Sequence, residues 1–115
     1  MAIVAFGRRG SFVLRMDRFM PLFAVTLKFT DDAERRVQTR PTHRDYLKSL
    51  LDAGKLVQSG PFVDDTGALV IYDAADLAEV QELLANDPYA PAGVVADVSI
   101  KEWNRVMFRD PAPQQ

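Results

Sequence analysis

His43 and Asp87 are the two residues of this sequence best suited to acid–base chemistry. His43 is the only histidine of the 115 residues, and imidazole is the side chain whose ordinary pKa allows proton exchange near neutral pH. A carboxylate beside an imidazole fixes its tautomer and stabilises the charged ring that forms when a proton arrives. If the fold brings Asp87 to His43, the pair suits a base that takes a proton and holds it briefly.

The elements that would position this pair follow from the spacing of apolar residues. Alternation and apolar runs predict four strands, over residues 22–29, 55–63, 68–73 and 94–103. In the third strand both faces are apolar, and the turn before it is predicted to use a positive φ at Gly67.

Two helices are predicted between the strands. The first is expected to begin near Pro41, because proline tolerates the first helical turn, and to stop at Gly54. The second is expected to begin after the cap Asp76 and to end at Asn86-Asp87-Pro88. Residues 30–39, where Asp31 or Asp32 can cap a short turn, and residues 89–93 are predicted to be connections.

This order of elements predicts an α+β domain, the ferredoxin-like βαββαβ fold, with one antiparallel sheet and both helices on one face. Alternate elements then run in opposite directions, so the start of the first helix and the end of the second lie at the same rim. His43 and Asp87 are therefore predicted to be neighbours. At a helix start the macrodipole would disfavour the imidazolium and Asp87 would favour it.

Further side chains are candidates for binding a substrate near this rim. Arg40, and with it Arg44 and Arg36, could attract a carboxylate or enolate. A hydrogen bond to a developing oxyanion could come from Ser59 and the Gly60 backbone. The predicted substrate-binding residues are Arg40, Ser59, Gly60, Tyr46 and Tyr89.

Each of these residues also has a purely structural explanation. A lone histidine near a helix start is commonly a cap or a satisfied polar contact, and an aspartate before proline commonly ends a helix. The arginines fit a solvated helix face, and Ser59-Gly60-Pro61 fits an irregularity of a strand.

Composition removes several functional classes. The chain has no cysteine, which excludes disulfides, thiolate catalysis and cysteine-based metal sites, and a single histidine excludes His-pair zinc motifs. We therefore expect no metal, and the acid–base chemistry expected of His43 and Asp87 uses no cofactor. No apolar run reaches the roughly 18 residues that span a bilayer, so we expect no membrane association. The sequence shows no pattern of an export signal, and we therefore expect a cytoplasmic location.

Charge is distributed unevenly along the chain. Residues 1–19 hold four arginines and one aspartate, a local charge of +3. Because the net charge of the chain is −2, residues 20–115 carry a charge of −5. This acidic body argues against nucleic acid as a partner. Residues 1–19 are predicted to be a loosely ordered extension, 20–108 the folded domain and 109–115 a flexible tail.

Apolar residues on both faces of the central strands predict a symmetric homodimer. The two helices can cover only one face of the sheet. The other face would be a large exposed apolar patch unless a second copy covered it.

Four short motifs occur in order between residues 22 and 104. They are Arg40-Pro41-x-His43-x-x-Tyr46-Leu47, Gly54-x-Leu56-x-x-Ser59-Gly60-Pro61-Phe62, Asp87-Pro88-Tyr89 and Ile100-x-x-Trp103. Together they resemble the YciI-like (YCII-related) family. The resemblance implies a ferredoxin-like dimeric α+β barrel, related in shape to muconolactone isomerases, and an active site built on a His–Asp pair, here His43 and Asp87.

The resemblance also implies a class of reaction. A dehydrochlorinase that acts on a chlorinated hydroxyquinol belongs to that family, so lyase or isomerase chemistry on a small oxygenated or anionic molecule is the leading hypothesis. The alternatives are a non-catalytic dimeric module that binds a small ligand or another protein, and an accessory protein whose His–Asp pair is only structural.

Overall fold

Four strands and three helices follow one another in residues 21–109, the part of the chain that the computed structural model describes. In chain order they are β1 (Leu22–Phe29), α1 (Ala33–Asp52), β2 (Leu56–Pro61), β3 (Gly67–Asp73), α2 (Leu77–Ala85), α3 (Tyr89–Ala92) and β4 (Val95–Trp103). The predictions for the extension 1–19 and for residues 110–115 of the tail lie outside the described residues. No helix within 21–109 has the length and apolar character needed to cross a bilayer.

The strands form one antiparallel sheet in the order β2-β3-β1-β4. At its centre, Val25 of β1 lies opposite Val70 of β3 on one side and Ile100 of β4 on the other. This strand order, with a helix after β1 and another after β3, confirms the predicted ferredoxin-like fold.

One face of the sheet carries the core. Alternate side chains of β1 are buried there, and Leu47 and Leu50 of α1 and Val80 of α2 join the same cluster. The opposite face is mixed. Leu69 is 40% exposed on it, and the β1 side chains that share its side include Thr26 and Lys28, both exposed.

Helix α1 begins eight residues earlier than the sequence predicted. Asp32 caps it by accepting a hydrogen bond from the N–H of Arg35 at 3.1 Å, and Pro41 lies inside the helix rather than at its start. Proline in a helix interior leaves the carbonyl four residues earlier without its donor, here that of Val37, a residue that is exposed. His43 therefore lies mid-helix, and the macrodipole effect expected at a helix start does not apply to it.

The other helix boundaries agree better with the predictions. Gly54 follows the end of α1 with a φ of +77°, and Asp76 caps α2 by accepting from the N–H of Glu79 at 2.9 Å. The prediction of a loop over residues 89–93 is wrong in part, because residues 89–92 form α3. Gly93, with a φ of +70°, follows the end of this helix.

Gly67, at the start of β3, has a different role from the one predicted. The turn residue with positive φ is Asp65, at +62°. At Gly67 the backbone of β1 comes so close that an added Cβ would lie 2.0 Å from the carbonyl oxygen of Leu27. Gly67 is thus required by the close approach of two strands rather than by its own φ.

This contact yields a stability prediction. Gly67→Ala should lower the free energy of unfolding by about 3 kcal/mol, since the clash is with rigid backbone, and thermal unfolding would measure the loss. Gly60→Ala is the matched control, because a Cβ there meets nothing within 4 Å. Equal melting temperatures for the two variants would contradict this role of Gly67.

Candidate functional site

A cavity of about 630 Å³ opens between α1, β2 and α3. This volume falls in the range of small-molecule sites, about 300–1,000 Å³. Its polar and charged lining comes mainly from α1 and β2, and its apolar lining from the sheet and from an aromatic cluster. The lining residues used below are Phe29, Arg36, Arg40, His43, Arg44, Lys48, Ser59, Gly60, Asp65 and Tyr89.

His43 and Asp87 form a hydrogen bond at the wall of this cavity. The distance from Nδ1 of His43 to Oδ1 of Asp87 is 2.8 Å, and the side chains are only 11% and 5% exposed. An ionised carboxylate can only accept, so Nδ1 carries the proton of this bond. Nε2, at the other side of the ring, is then the nitrogen that can accept a proton from a ligand.

The chain around Asp87 holds its carboxylate in place. Asp87 follows directly after Asn86, which ends α2, and its Oδ1 also accepts the backbone N–H of Tyr89 at 2.9 Å. Pro88 begins the short turn of α3. The Asp-Pro-Tyr sequence therefore builds a support in which one carboxylate oxygen receives two donors.

Stacked aromatic rings fix the plane of the His43 imidazole. The ring of Tyr89 lies parallel to it, with 3.7 Å between centroids and 4° between planes. Phe29 meets Tyr89 edge-on at 6.0 Å, and the guanidinium of Arg36 lies 4.5 Å above the Phe29 ring. A continuous row of contacts thus runs along the cavity wall from Arg36 to His43.

The cavity has an excess of positive charge. Four cations of α1 line it (Arg36, Arg40, Arg44 and Lys48), and the carboxylate of Asp65 is the counter-charge in its lining. Arg36 pairs with Asp65, with 2.6 Å between Nη2 and Oδ2. Within residues 21–109 the other three cations make no ion pair. A cleft with this balance attracts anions.

Tyr46 lies apart from the cavity. Its hydroxyl donates to the carbonyl of Leu83 at 2.7 Å. Leu83 lies in the last turn of α2, where backbone carbonyls have no N–H partner within the helix. Burial raises the pKa of the Tyr46 phenol, and the charges of Asp87 and Glu82 raise it further. Tyr46 is thus a neutral donor that joins α1 to α2 at physiological pH.

Tyr72 of β3 is a second neutral phenol beneath the site. Its side chain is fully buried, and burial followed by the negative charge of Asp87 raises its pKa well above the ordinary value. Neither tyrosine can therefore serve as an anionic base near pH 7.

The predicted site residues thus fall into three places. Arg40, His43, Ser59, Gly60 and Tyr89 line the cavity. Asp87 lies behind His43 and supports it, as the topology predicted. Tyr46 is directed to α2 instead.

Arg36 has only a secondary place among the residues predicted from the sequence, and Phe29 is not among them. Arg36, Arg40 and His43 recur at the four- and three-residue spacings of one helix face. A helix that begins at Pro41 leaves Arg36 and Arg40 outside it, and the predicted helix start therefore hides this spacing. No group of three or more His, Cys, Asp or Glu side chains within residues 21–109 is placed to hold a metal ion.

Comparison with known families agrees with this architecture. The model of the YCII-related domain matches residues 21–104, which include every element of the described fold. The chain belongs to the YCII-related domain family. The resemblance inferred from the four sequence motifs is therefore confirmed.

Curated relatives are similar in sequence over most of their own length. Protein YciI of Escherichia coli O6:H1 is 36% identical over 86 residues, 66% of this chain and 88% of that protein. The derivative of benzaldehyde biosynthesis cluster protein C of Emericella nidulans is 36% identical over 77 residues, 57% of this chain and 79% of that protein.

A solved structure is similar in fold. It is 5-chloro-2-hydroxyhydroquinone dehydrochlorinase from Burkholderia phenoliruptrix AC1100, in complex with 2,5-dihydroxybenzoquinone. The TM-score is 0.65 at 27% identity, over 72% of this chain and 93% of that chain. This neighbour is thus an enzyme of the lyase type with a small oxygenated ring as its ligand.

The placement of Tyr46 yields a second prediction. Tyr46→Phe should lower the free energy of unfolding by about 1 kcal/mol, because the carbonyl of Leu83 loses its donor. Thermal unfolding would measure the loss. Tyr89→Phe is the control for stability, since the Tyr89 hydroxyl makes no hydrogen bond within residues 21–109. A Tyr46→Phe variant as stable as Tyr89→Phe would rule out this link between α1 and α2.

Proposed function

We propose that this chain is a cofactor-independent acid–base enzyme of the lyase or isomerase type. Its substrate would be a small oxygenated or anionic organic molecule, and its catalytic residues His43 and Asp87. The observation that carries the proposal is the 2.8 Å hydrogen bond between these side chains at the wall of a cavity with excess positive charge. Paired titratable groups in one cleft are typical of acid–base sites.

In this mechanism Nε2 of His43 takes a proton from an O–H or an activated C–H of the substrate. Asp87 keeps Nδ1 protonated and stabilises the imidazolium that forms. The electron pair left on the substrate moves through its conjugated system. In a lyase that pair expels a leaving group, whereas in an isomerase His43 returns the proton to a different atom of the substrate.

The remaining residues of the cavity would bind the substrate. Arg40 lies on the same face of α1 as His43 and would stabilise negative charge on a substrate oxygen. Ser59 and Gly60, on β2, would offer a hydroxyl and backbone groups to the same molecule. Tyr89 stacks on His43 and so would hold the base in its reactive orientation.

The structural neighbour supports the reaction class. Its name denotes removal of the elements of hydrogen chloride from a substituted hydroquinone, and its ligand is a flat ring with several oxygens. Both the proton loss and the ring shape fit a cavity in which an oriented imidazole lies beside positive charge.

The tautomer of His43 tests the mechanism directly. Because the chain has one histidine, its two ring nitrogens can be assigned without ambiguity in a nitrogen-15 NMR spectrum. We expect the neutral ring to carry its proton on Nδ1, and we expect Asp87→Ala to release part of the population to the Nε2–H form. A neutral ring already in the Nε2–H form in the unmodified chain would contradict the mechanism.

Turnover is the second half of this test. Chloride release from chlorinated hydroquinones should fall about 10²- to 10⁴-fold in His43→Asn, the usual contribution of a positioned base. Asp87→Asn should also lose turnover, whereas Asp45→Asn, exposed on the same helix, should not. Full turnover by a folded His43→Asn variant would sink the catalytic proposal.

A non-catalytic binding module is the alternative function. The observation that favours it is the close packing of His43, which is 11% exposed and stacked on Tyr89, as a structural histidine would be. In that case His43→Asn would lower the melting temperature by several degrees, and no member of a panel of hydroquinones and lactones would be turned over.

We further propose that two copies pair through the sheet face opposite the helices. Leu69 and Trp103 on this face are 40% and 41% exposed, and Leu22 and Ala24 of β1 continue its apolar surface. A second copy would remove this area from water. The cytoplasmic location expected from the sequence stays a prediction.

Light scattering after size-exclusion chromatography measures the oligomeric state. The unmodified chain should have the mass of a dimer at micromolar concentration, and Leu69→Lys should have the mass of a monomer. Val37→Lys places the same charge on an exposed apolar residue of α1 and should leave the dimer intact. A monomeric unmodified chain would overturn the pairing.

A further inference from the structure

Arg36 has hydrogen-bonding capacity that the described part of the chain does not satisfy. Its side chain is only 5% exposed and lines the cavity. A guanidinium has five N–H donors, yet the hydrogen bond it makes within residues 21–109 joins Nη2 to Oδ2 of Asp65 at 2.6 Å. Nε is buried and has no partner.

A buried charge is stable only when it is paired and hydrogen-bonded. The ring of Phe29 covers one face of the guanidinium, with 4.5 Å between Cζ and the ring centroid. A further acceptor must therefore approach near the guanidinium plane, where the N–H groups point. Carboxylates and paired oxygens on a ring have the geometry that suits this planar group.

Asp65 already supplies such a carboxylate from the hairpin between β2 and β3. Its side chain is 54% exposed, so much of it lies in solvent while Arg36 is enclosed. If the pair opens, water can hydrate the exposed Asp65 carboxylate, whereas the enclosed guanidinium needs another acceptor in its place. An anionic ligand in the cavity could therefore compete with Asp65 for Arg36.

The spacing of Arg36 and His43 limits the size of such a ligand. Seven residues of α-helix separate them, which is about 10.5 Å along the axis, and both lie on the helix face that lines the cavity. The rings of Phe29 and Tyr89 form the wall between them. A planar ring with an anionic group at one end would span this distance with its reactive end at His43.

We propose that Arg36 is the anion-binding residue of this cavity and that its ligand is a planar ring bearing a carboxylate or an ionised ring oxygen. Asp65 holds Arg36 when no ligand is bound and gives it up to the ligand's anionic group. This inference rests on the proposed function in one respect, that the same cavity binds the substrate. It adds the charge and shape of that substrate and the residue that selects them.

Benzoate and benzamide form a matched pair of probes, because they share size and shape and differ in charge. Calorimetry should show that the unmodified chain binds benzoate about tenfold or more tightly than benzamide, as expected for a charge-assisted bidentate contact. Arg36→Gln should remove most of this preference. Arg35→Gln is the matched control, since Arg35 is the adjacent arginine of α1, exposed and paired with Asp32, and it should retain the preference.

Asp65→Asn tests the competition and does not depend on the folding of an Arg36 variant. Asp65→Asn should bind benzoate about three- to tenfold more tightly, because the Asp65 carboxylate no longer repels the anion or occupies its position at Arg36. The affinity for neutral benzamide should not change. Weaker benzoate binding in Asp65→Asn would show that Asp65 only positions Arg36 and would overturn the competition. Equal affinity of the unmodified chain for both probes, including no binding of either, would overturn the anion site.

His43→Asn separates this inference from the proposed function. The variant should keep the benzoate preference, because Arg36 and Asp65 are unchanged, while it loses turnover. If His43→Asn keeps both the benzoate preference and full turnover, the anion site is real and the catalytic proposal is wrong. If turnover is lost and there is no benzoate preference, the catalytic proposal stands and the anion site is wrong.

Discussion

A buried carboxylate, that of Asp87, is the constraint on which the arrangement of the site depends. A charge so well removed from water needs donors close by, and its Oδ1 receives two, the imidazole N–H of His43 and the backbone N–H of Tyr89. The first donor comes from α1 and the second from α3. Satisfying one oxygen therefore fixes the end of α2, the start of α3 and the middle of α1 relative to one another.

Helix α1 serves both the core and the cavity with a single face. Toward its end this face carries Leu47 and Leu50, which pack on the sheet. Toward its start the same face carries Arg36, Arg40 and His43, which line the cavity. Packing of the apolar half on the sheet fixes the rotation of the helix about its axis. This rotation directs the polar half toward the cavity. Core packing and site geometry are therefore coupled, and a substitution that turned the helix would disturb both.

Much of the fold could be predicted because it depends on local patterns. Alternating apolar residues located the strands, Asp76 and Gly54 marked helix ends, and the order of elements brought His43 to Asp87 without any detail of packing. The start of α1 could not be found in this way. Pro41 has a φ that suits a first turn as well as an interior position, and only the packing of the preceding turn on the hairpin decides between them. The ion pair of Arg36 with Asp65, 29 residues apart, contributes to that packing and has no local sequence signal.

The same limit applies to contacts that depend on distance between strands. The sequence predicts a positive φ at Gly67 because glycine often supplies one in a turn, whereas its lack of a Cβ is needed for the close approach of Leu27. Such an approach is a property of two strands in register, and a single segment does not encode it. Tyr46 is similar, since its partner is a carbonyl of α2 that any residue type would present at that position.

Net charge and local charge lead to opposite expectations for the ions that this protein attracts. The chain as a whole carries −2, which by itself favours no anion. Yet α1 places four cations at spacings of four residues along the cavity, facing one carboxylate. Because coulombic attraction is strong at short range and is screened within about 8–10 Å at physiological salt, the charges that line the cavity outweigh the acidic residues elsewhere. The electrostatic character of the cavity is therefore determined by the face of one helix, and the orientation of the imidazole on that face by a carboxylate from the far end of another.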